Sequence, residues 1–426
     1  IILAIAITLS NVLAKVFPSF PIFMIQIIIG IILGFTKVGS SIHFEPEVFL
    51  VMIIAPLLFR EGETADIPSI LKHFGLILLL AFGGVIFTLF GLGFVLHKIL
   101  PMIPLAACLA FGASLGPTDA VAVNSLAKRL QIPESVMHVL EGEGLINDAT
   151  GVTAFQFAVA ALLTGRFSAM DASISLLESS VVGVLVGLLI IWLKNEIIKI
   201  IERISAQDVS AYLLIELILP FTAYFIAELF HASGIIAAVV TGILQATGFR
   251  RVNLFEAQLS NVTESTWNTI SFMLNALVFI FLGIELSQVF SPVWNSQSYS
   301  NTHLLGIVLL LTALLFALRF LFVSGFYIVT QGWQINRTQL RNRLLLTFGG
   351  VKGTVSIATI FILPATVNGL AFPERSLLLF ITACVTFLTL IIGMILLPIL
   401  SEGEVIPPTD PKLMLILREV INELYA

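Results

Sequence analysis

The sequence predicts an all-α membrane protein that crosses the bilayer many times and has short loops. Hydrophobic residues make up 58% of the 426 residues and charged residues only 11%, whereas a soluble protein carries about 25% charged residues. A membrane helix needs about 20 apolar residues, so thirteen helices take up about 260 residues, close to the hydrophobic share of the chain. This composition excludes a soluble globular enzyme. The net charge of −5 is spread over many loops and gives no sign of nucleic-acid binding.

Polar breaks between the apolar runs predict thirteen spans. They are 1–17, 20–36, 44–60, 68–98, 102–127, 133–165, 174–203, 208–230, 233–248, 267–290, 302–332, 340–364 and 374–400. The polar stretch 249–266 is interpreted as an amphipathic connector, and 401–426 as the start of a cytoplasmic tail. The first run has no small-residue cleavage site and is therefore expected to be a membrane helix, not a signal peptide. Because the chain opens at Ile1, we expect a trimmed N-terminus.

Basic residues predict the orientation of these spans. With the N-terminus outside, the inner loops and the tail hold 15 Lys and Arg residues and the outer loops hold four. Cytoplasmic loops of membrane proteins carry such an excess. We therefore expect a multi-pass protein of the cell membrane with its C-terminus in the cytoplasm.

Spans 5 and 12 are both interrupted near their middle by residues that break helices. The breakers are Gly112, Gly116 and Pro117 in span 5, and Gly349, Gly350 and Gly353 in span 12. The two spans are seven positions apart, so corresponding copies would run in opposite directions. The pattern predicts two inverted six-helix repeats whose interrupted helices cross, which is where transporters bind their substrates.

The break in span 5 carries chemistry suited to a monovalent cation. Pro117 lacks an N–H and frees carbonyl groups of the preceding turn. Next to it stand Thr118 and Asp119 in the run GASLGPTDAVAV. Carbonyl, hydroxyl and carboxylate oxygens are hard ligands that suit Na⁺. The alternative is a simple proline kink in which Asp119 caps the second half-helix.

Span 6 contains three carboxylates within eight residues, in EGEGLINDATG. On a helix Glu143 and Asn147 share one face, while Glu141 and Asp148 share another. The carboxylates therefore have different tasks: one lines an ion pathway and another pairs with a cation of the scaffold. Ionisable residues inside a membrane indicate function by default. The alternative is a buried polar network without a role in transport.

Two cations also lie within predicted spans. Arg319 in LLFALRFLFV cannot lose its proton, so it needs a carboxylate or carbonyl partner, for which Glu143 is the candidate. Snorkelling to an interface is the alternative. Lys352 in FGGVKGTVSI lies at the break of span 12, where it can neutralise the C-terminal dipole of a half-helix.

Other polar residues carry weaker signals. Glu61 and Glu63 follow span 3 and either guard the cytoplasmic mouth or are solvated loop charges. Cys108 and Cys384 both lie in apolar runs, so no disulfide, cysteine-metal site or other cofactor is expected.

At these motifs the chain resembles the sodium/proton exchanger family of the monovalent cation/proton antiporters, over nearly its whole length. Four signatures occur in order: SLGPTDAVAV, EGEGLINDATG, AELFHASGIIAAVVTGI and FGGVKGTVSI. The Asn147–Asp148 pair is the mark of the family's electroneutral branch. The resemblance implies a homodimer and elevator-like alternating access. It implies a moving core (about 68–165 and 302–400), a dimerisation part (about 1–60 and 208–290) and a linker helix (174–203).

The resemblance also implies a role for individual residues. Asp148 is the site where cation and proton compete, with Asp119 and Thr118 on the unwound part of span 5. Asn147 is structural, and Glu143 pairs with Arg319. The sequence departs from the family at two positions: Gly144 stands where Ser is common, and Lys352 where Arg is usual.

These observations lead to the hypothesis of an electroneutral Na⁺(Li⁺)/H⁺ antiporter. The core crosses when Asp148 holds either a proton or Na⁺, and does not cross when the site is charged and empty. Pro117, Glu141 and Lys352 support the site. The rivals are a K⁺/H⁺ antiporter on the same scaffold and a cation channel. An intramembrane enzyme is disfavoured, because no HExxH, DDxxD or Ser-Lys pair is present.

Overall fold

The structure is a computed structural model, and it describes most of the chain. The described residues are 2–17, 20–37, 39, 45–127, 130–165, 169–204, 207–246, 254–294, 300–331, 336–367 and 369–401. The tail 402–426 and the basic residues of several predicted loops lie outside the described residues.

The described residues are almost all helical, apart from one short hairpin. The helices are α1 Ile2–Val16, α2 Ile22–Gly34, α3 Pro46–Phe49, α4 Ala55–Thr64, α5 Ile67–Lys72, α6 Phe74–Leu78, α7 Val85–Ile99, α8 Leu105–Ser114, α9 Ala120–Ala127, α10 Glu134–Thr164, α11 Ala169–Arg203, α12 Val209–Leu229, α13 Gly234–Ala246, α14 Leu254–Trp294, α15 Asn301–Gln331, α16 Arg337–Phe348, α17 Thr354–Phe361 and α18 Glu374–Leu400. Two π-helical turns, Leu50–Ile54 and Leu79–Gly84, join α3 to α4 and α6 to α7. Strands β1 Thr366–Val367 and β2 Leu370–Ala371 pair antiparallel.

Helices occupy all thirteen predicted spans. Among the described residues, seven helical segments are by themselves long and apolar enough to cross a membrane. The architecture is thus that of a polytopic helical membrane protein, while the count of thirteen crossings and the inverted repeats remain predictions.

One element differs from its sequence interpretation. The polar stretch 249–266 was expected to be a separate connector, but from Leu254 it is the first part of the 41-residue helix α14. Leu259 and Thr263 are buried in this part, while the polar residues Asn261, Glu264 and Ser265 are exposed. An amphipathic face of this kind packs along its whole length, so the helix continues through the polar segment.

Glycines allow two pairs of helices to touch along their backbones. A Cβ on Gly30 of α2 would overlap the Ile280 carbonyl of α14, and a Cβ on Gly283 would overlap the Ile27 carbonyl. On the other pair, a Cβ on Gly242 of α13 would overlap the Phe59 carbonyl of α4. Small residues at such crossings are the usual means of close packing in membranes. Both α4 and α14, one from each pair, contribute residues to the cavity described below.

The two interrupted spans meet at their breaks. The chain between α8 and α9 and the chain between α16 and α17 are both non-helical. They touch through a backbone hydrogen bond in which the Asp119 N–H donates to the Val351 carbonyl at 2.9 Å. The meeting point faces α10. Among the seven helical segments that are long and apolar enough to cross a membrane, α10 has the most buried apolar stretch, with 61% of it buried. Polar groups on α10 therefore need partners inside the protein.

Candidate functional site

The polar residues of α10 form the centre of the site. Glu143, Asn147 and Asp148 are all buried, with 1%, 0% and 5% of their surface exposed. Glu143 and Asn147 follow one another along one helical face, as their spacing predicts. Asp148 lies on the neighbouring face and lines a cavity. The two faces of α10 thus carry carboxylates in different surroundings. Glu143 lies within the scaffold, and Asp148 lies beside the cavity, where it is open to a ligand.

Glu143 and Arg319 are brought together as a bidentate ion pair. Arg319 Nη1 and Nη2 donate to Glu143 Oε1 and Oε2 at 2.6 and 2.7 Å. Arg319 Nε donates to the Leu346 carbonyl at 2.9 Å. The guanidinium lies flat against Gly350, where any Cβ would overlap it. This fork of donors matches a carboxylate in a way that a point charge would not.

Asn147 connects the ion pair to the break of span 5. Its Nδ2 donates to Thr118 Oγ1 at 2.7 Å and to Glu143 Oε1 at 3.3 Å, while its Oδ1 accepts the Thr118 N–H at 3.3 Å. The amide therefore holds the Thr118 backbone and hydroxyl in place. The Thr118 hydroxyl already accepts one hydrogen bond before any cation arrives.

Asp119 stands where the two breaks cross. Its Oδ1 accepts the Ala122 N–H at 2.8 Å, which caps the start of α9. Its carboxylate also lies directly on Gly353, so that a Cβ there would overlap it. Gly353 immediately precedes α17. Asp119 thus caps α9 and contacts the residue before α17, and its role as a cation ligand stays a prediction.

Lys352 also lies where the two breaks cross. It belongs to the break of span 12, whereas Asp119 belongs to the break of span 5. It is 2% exposed, and its Nζ donates to the Gly116 carbonyl at 2.9 Å. Gly116 lies just beyond the end of α8, so the ammonium stands at the negative end of that half-helix. The Lys352 N–H donates to Thr389 Oγ1 at 3.0 Å. This is the placement expected for dipole neutralisation.

A cavity of about 40 Å³ opens beside Asp148. Among its lining residues are Asp148, Gly144, Asp119, Glu61 and Asn275. Asp148 Oδ1 is buried and has no hydrogen-bond partner among the described residues. A buried polar atom without a partner is rare in folded proteins. This oxygen is therefore available to a ligand of positive charge.

Glu61 is a cavity residue for which the sequence left two interpretations open, a guard of the cytoplasmic mouth or a solvated loop charge. It lies inside α4, which continues to Thr64, and lines the cavity instead of sitting in a loop. Glu63 instead pairs with Arg60 at 2.7 Å. The sequence did contain a sign of this position, because Glu61 continues the helical spacing of the buried residues Leu57 and Leu58. The adjacent charges, however, favoured a loop.

Glu141 is not part of the cavity wall. Its carboxylate is 39% exposed and lies 3.9 Å from His138 Nδ1. In the part of the chain that is described, no three acidic, His or Cys side chains come close enough to form a metal centre. The cavity is nevertheless lined by three carboxylates, those of Glu61, Asp119 and Asp148.

Fold and site together define a class: a polytopic helical membrane protein with a carboxylate-lined cavity where two interrupted helices cross. The family model described as "Sodium/hydrogen exchanger, transmembrane" matches residues 1–402. The chain belongs to the sodium/hydrogen exchanger family.

Relatives and a solved structure agree with this assignment. The chain is 39% identical to the sodium, potassium, lithium and rubidium/H⁺ antiporter of Bacillus subtilis and 37% identical to that of Bacillus pumilus. The matches cover 94% and 93% of this chain but only 61% and 60% of those proteins. It is 28% identical to the Na⁺/H⁺ antiporter NhaH of Halobacillus aidingensis, over 94% of this chain and 96% of that one. The fold resembles the sodium proton antiporter MjNhaP1 of Methanocaldococcus jannaschii, with a TM-score of 0.69, 19% identity and coverage of 93% and 96%.

Proposed function

We propose that the chain is an electroneutral antiporter that exchanges one Na⁺ or Li⁺ for one proton at Asp148. The observation that carries this proposal is the buried Oδ1 of Asp148 beside the cavity, which has no hydrogen-bond partner within the described part of the chain. A lone carboxylate in an interior of low dielectric needs a compensating positive charge. A proton and a cation both provide it, so the two compete for one group. The Bacillus pumilus and Halobacillus aidingensis relatives are named as antiporters of monovalent cations and H⁺, which supports exchange of a cation for a proton here.

The neighbouring residues have distinct roles in this proposal. Asp119 and Glu61 face the same cavity and attract the cation, and Thr118 contributes its remaining lone pair. Asn147 holds Thr118, and the Glu143–Arg319 pair supports Asn147 from behind. Lys352 keeps the crossing of the two breaks together.

Coupling follows from the charge of the site during movement. With a proton or a monovalent cation on Asp148, the site carries the same net charge. The deprotonated, empty site carries one more negative charge, and moving it into lipid is strongly unfavourable. One cation is therefore exchanged for one proton, independently of the membrane potential.

The movement itself is proposed to be of the elevator type, in a homodimer in the cell membrane. The moving core comprises the helices around α10 and the crossing, and the static part comprises α2, α4, α13 and α14. The backbone-to-backbone contacts of α2 with α14 and of α4 with α13 support a rigid static part. The distribution of basic residues supports an outside N-terminus and a cytoplasmic C-terminus.

K⁺/H⁺ exchange at the same site is a second candidate, because the two Bacillus relatives are named for potassium and rubidium as well as sodium. A channel would require a continuous open path. It remains a possible outcome of the test below.

The test is proton flux into vesicles that contain the purified chain, with the membrane potential clamped and Na⁺, Li⁺ or K⁺ added in turn. We expect cation-driven proton flux that does not depend on the potential and that is abolished in Asp148→Asn. Asp208→Asn is the matched control, because Asp208 is exposed and only caps α12. Potential-dependent flux, or flux that survives in Asp148→Asn, would overturn the proposal.

A further inference from the structure

A buried arginine of α16 has no partner for its charge among the described residues. Arg343 is 2% exposed, and its Nε and Nη2 make no hydrogen bond to any residue that the structure describes. No described carboxylate forms an ion pair with it. An arginine cannot lose its proton, and a buried charge without a partner is costly. The guanidinium of Arg343 therefore calls for an anion, as that of Arg319 does for Glu143.

The two unpaired nitrogens of Arg343 form one binding edge. Nε–H and Nη2–H point in the same direction from the planar guanidinium, and such a pair of donors binds two oxygens of one carboxylate or phosphate group. The guanidinium itself lies over the ring of Tyr327 on α15, with its Cζ 5.3 Å from the ring centroid. A contact with the face of a ring holds the guanidinium in place and does not use the donors at its edge.

The surroundings of this edge favour an anion with more than one negative charge. Helix α16 carries Arg337 and Arg341 besides Arg343, and it contains no acidic residue. Asn336, at the start of the helix, makes no capping hydrogen bond with its side chain in the described part of the chain. Side chains of a helix incline towards its N-terminus, where the helix dipole is positive and anions bind. Dipole and arginines therefore act on the same end of α16.

A hydroxyl group on the neighbouring helix adds a further donor. Ser324 precedes Tyr327 by one turn on the same face of α15. Its Oγ is buried and has no hydrogen-bond partner from the residues that the structure describes. The ring of a helical aromatic residue covers the turn before it, so the Tyr327 ring and the guanidinium above it lie towards Ser324. A phosphate group that fills the arginine edge with two oxygens still has an oxygen for this hydroxyl.

We propose that α15 and α16 form a binding site for a phosphate group, held by the Nε and Nη2 donors of Arg343 and by the Ser324 hydroxyl. The group belongs to an anionic phospholipid or to a soluble phosphate. Arg343 lies six residues into α16, about 9 Å from its start, and the start itself is exposed. This is the depth of lipid headgroups, at the end of α16 that the basic residues predict to be cytoplasmic. The site is separate from the ion cavity, whose lining includes neither residue.

The test is the melting temperature of the purified, delipidated chain in a neutral detergent at constant ionic strength. Inorganic phosphate is added to one series, and phosphatidylglycerol is mixed into the micelles of the other. A ligand that binds only the folded state raises the melting temperature. We expect one of the two probes to raise it by several degrees, which also identifies the source of the phosphate group. Arg343→Gln and Arg343→Lys should need at least about tenfold more of that probe, because both lose the paired donors.

Controls separate this role from a contribution to packing. Arg203→Gln removes an exposed arginine at the end of α11, on the same predicted side of the membrane, and should respond as the unaltered chain does. Without either probe, Arg343→Gln should melt no lower than the unaltered chain, because it removes a buried charge that has no partner. A lower melting temperature together with an unchanged response to the probe would show a packing role and overturn the proposal. Failure of both probes to stabilise the unaltered chain would do the same, and none of these measurements depends on transport.

Discussion

Arg319 and Glu143 lie 176 residues apart in the chain and meet through two parallel hydrogen bonds of 2.6 and 2.7 Å. The side chains are 10% and 1% exposed. Because Arg319 Nε also donates to the Leu346 carbonyl, one guanidinium joins α10, α15 and α16. The pair therefore holds together α10, α15 and α16, the helices that surround the crossing.

Removing one partner of this pair should strongly destabilise the protein. In Glu143→Gln the guanidinium stays buried without a counter-charge, and we expect a loss of about 3–5 kcal/mol. The measurement is thermal unfolding of the purified protein in detergent. Glu196→Gln, which breaks the exposed Lys199–Glu196 pair, should change stability by about 1 kcal/mol or less. Equal unfolding of the two variants would contradict the prediction.

Gly350 should not tolerate even a methyl group. In Gly350→Ala the new Cβ would overlap the Arg319 guanidinium, so the fork must leave either Glu143 or the Leu346 carbonyl. Overpacking of this kind destabilises by about 1–3 kcal/mol, and we expect proton flux to fall with it. Gly306→Ala is the control, because no atom of the described residues lies within 4 Å of the position of its Cβ. The idea fails if both variants retain full flux and stability.

Lys352 should be replaceable only by another cation. Lys352→Met leaves the Gly116 carbonyl, at the end of α8, without its donor, and we expect loss of exchange in the vesicle assay. Lys352→Arg keeps the charge and should retain part of the activity, although its larger head must fit a buried position. An active Met variant would show that the charge at the crossing is dispensable.

Asn147→Asp should make stability depend on pH. The substitution removes the donor to Thr118 and places a carboxylate at the 3.3 Å contact with Glu143 Oε1. Two like charges at this distance repel, so the variant should be less stable at high pH and recover as the pH falls and the new carboxyl binds a proton. Melting temperatures across pH for Asn147→Asp and the unaltered chain provide the test. A constant difference between them at all pH values would rule out the repulsion.

Much of the site could be anticipated from residue types alone. Charged residues within apolar runs are conspicuous, and an arginine that cannot lose its proton requires a partner, which is why Glu143 and Arg319 could be paired in advance. Glu61 could not be placed in the same way. Its helical spacing from Leu57 and Leu58 competed with the charges around it, and only the structure shows that α4 continues through Glu61 and that Glu61 and Asp148 line one cavity.

The length of α14 shows a similar limit. Hydropathy separates the polar beginning of α14 from its apolar remainder. The buried residues Leu259, within the polar part, and Trp267, directly after it, nevertheless hold that part inside the protein. Whether a polar stretch is a connector or a helix depends on what packs against one of its faces, and that is not encoded locally.

By itself the sequence determined the membrane class, the helical segments, the two interrupted spans and the set of intramembrane charges, because hydropathy, Pro and Gly act over a few residues. The tertiary structure decided which groups meet. It placed Asn147 on Thr118, Lys352 on the Gly116 carbonyl and Asp119 against Gly353. It also left an oxygen of Asp148 beside a cavity with no hydrogen-bond partner from the residues that the structure describes. These contacts join segments far apart in the chain, and only the packing of whole helices fixes such distances.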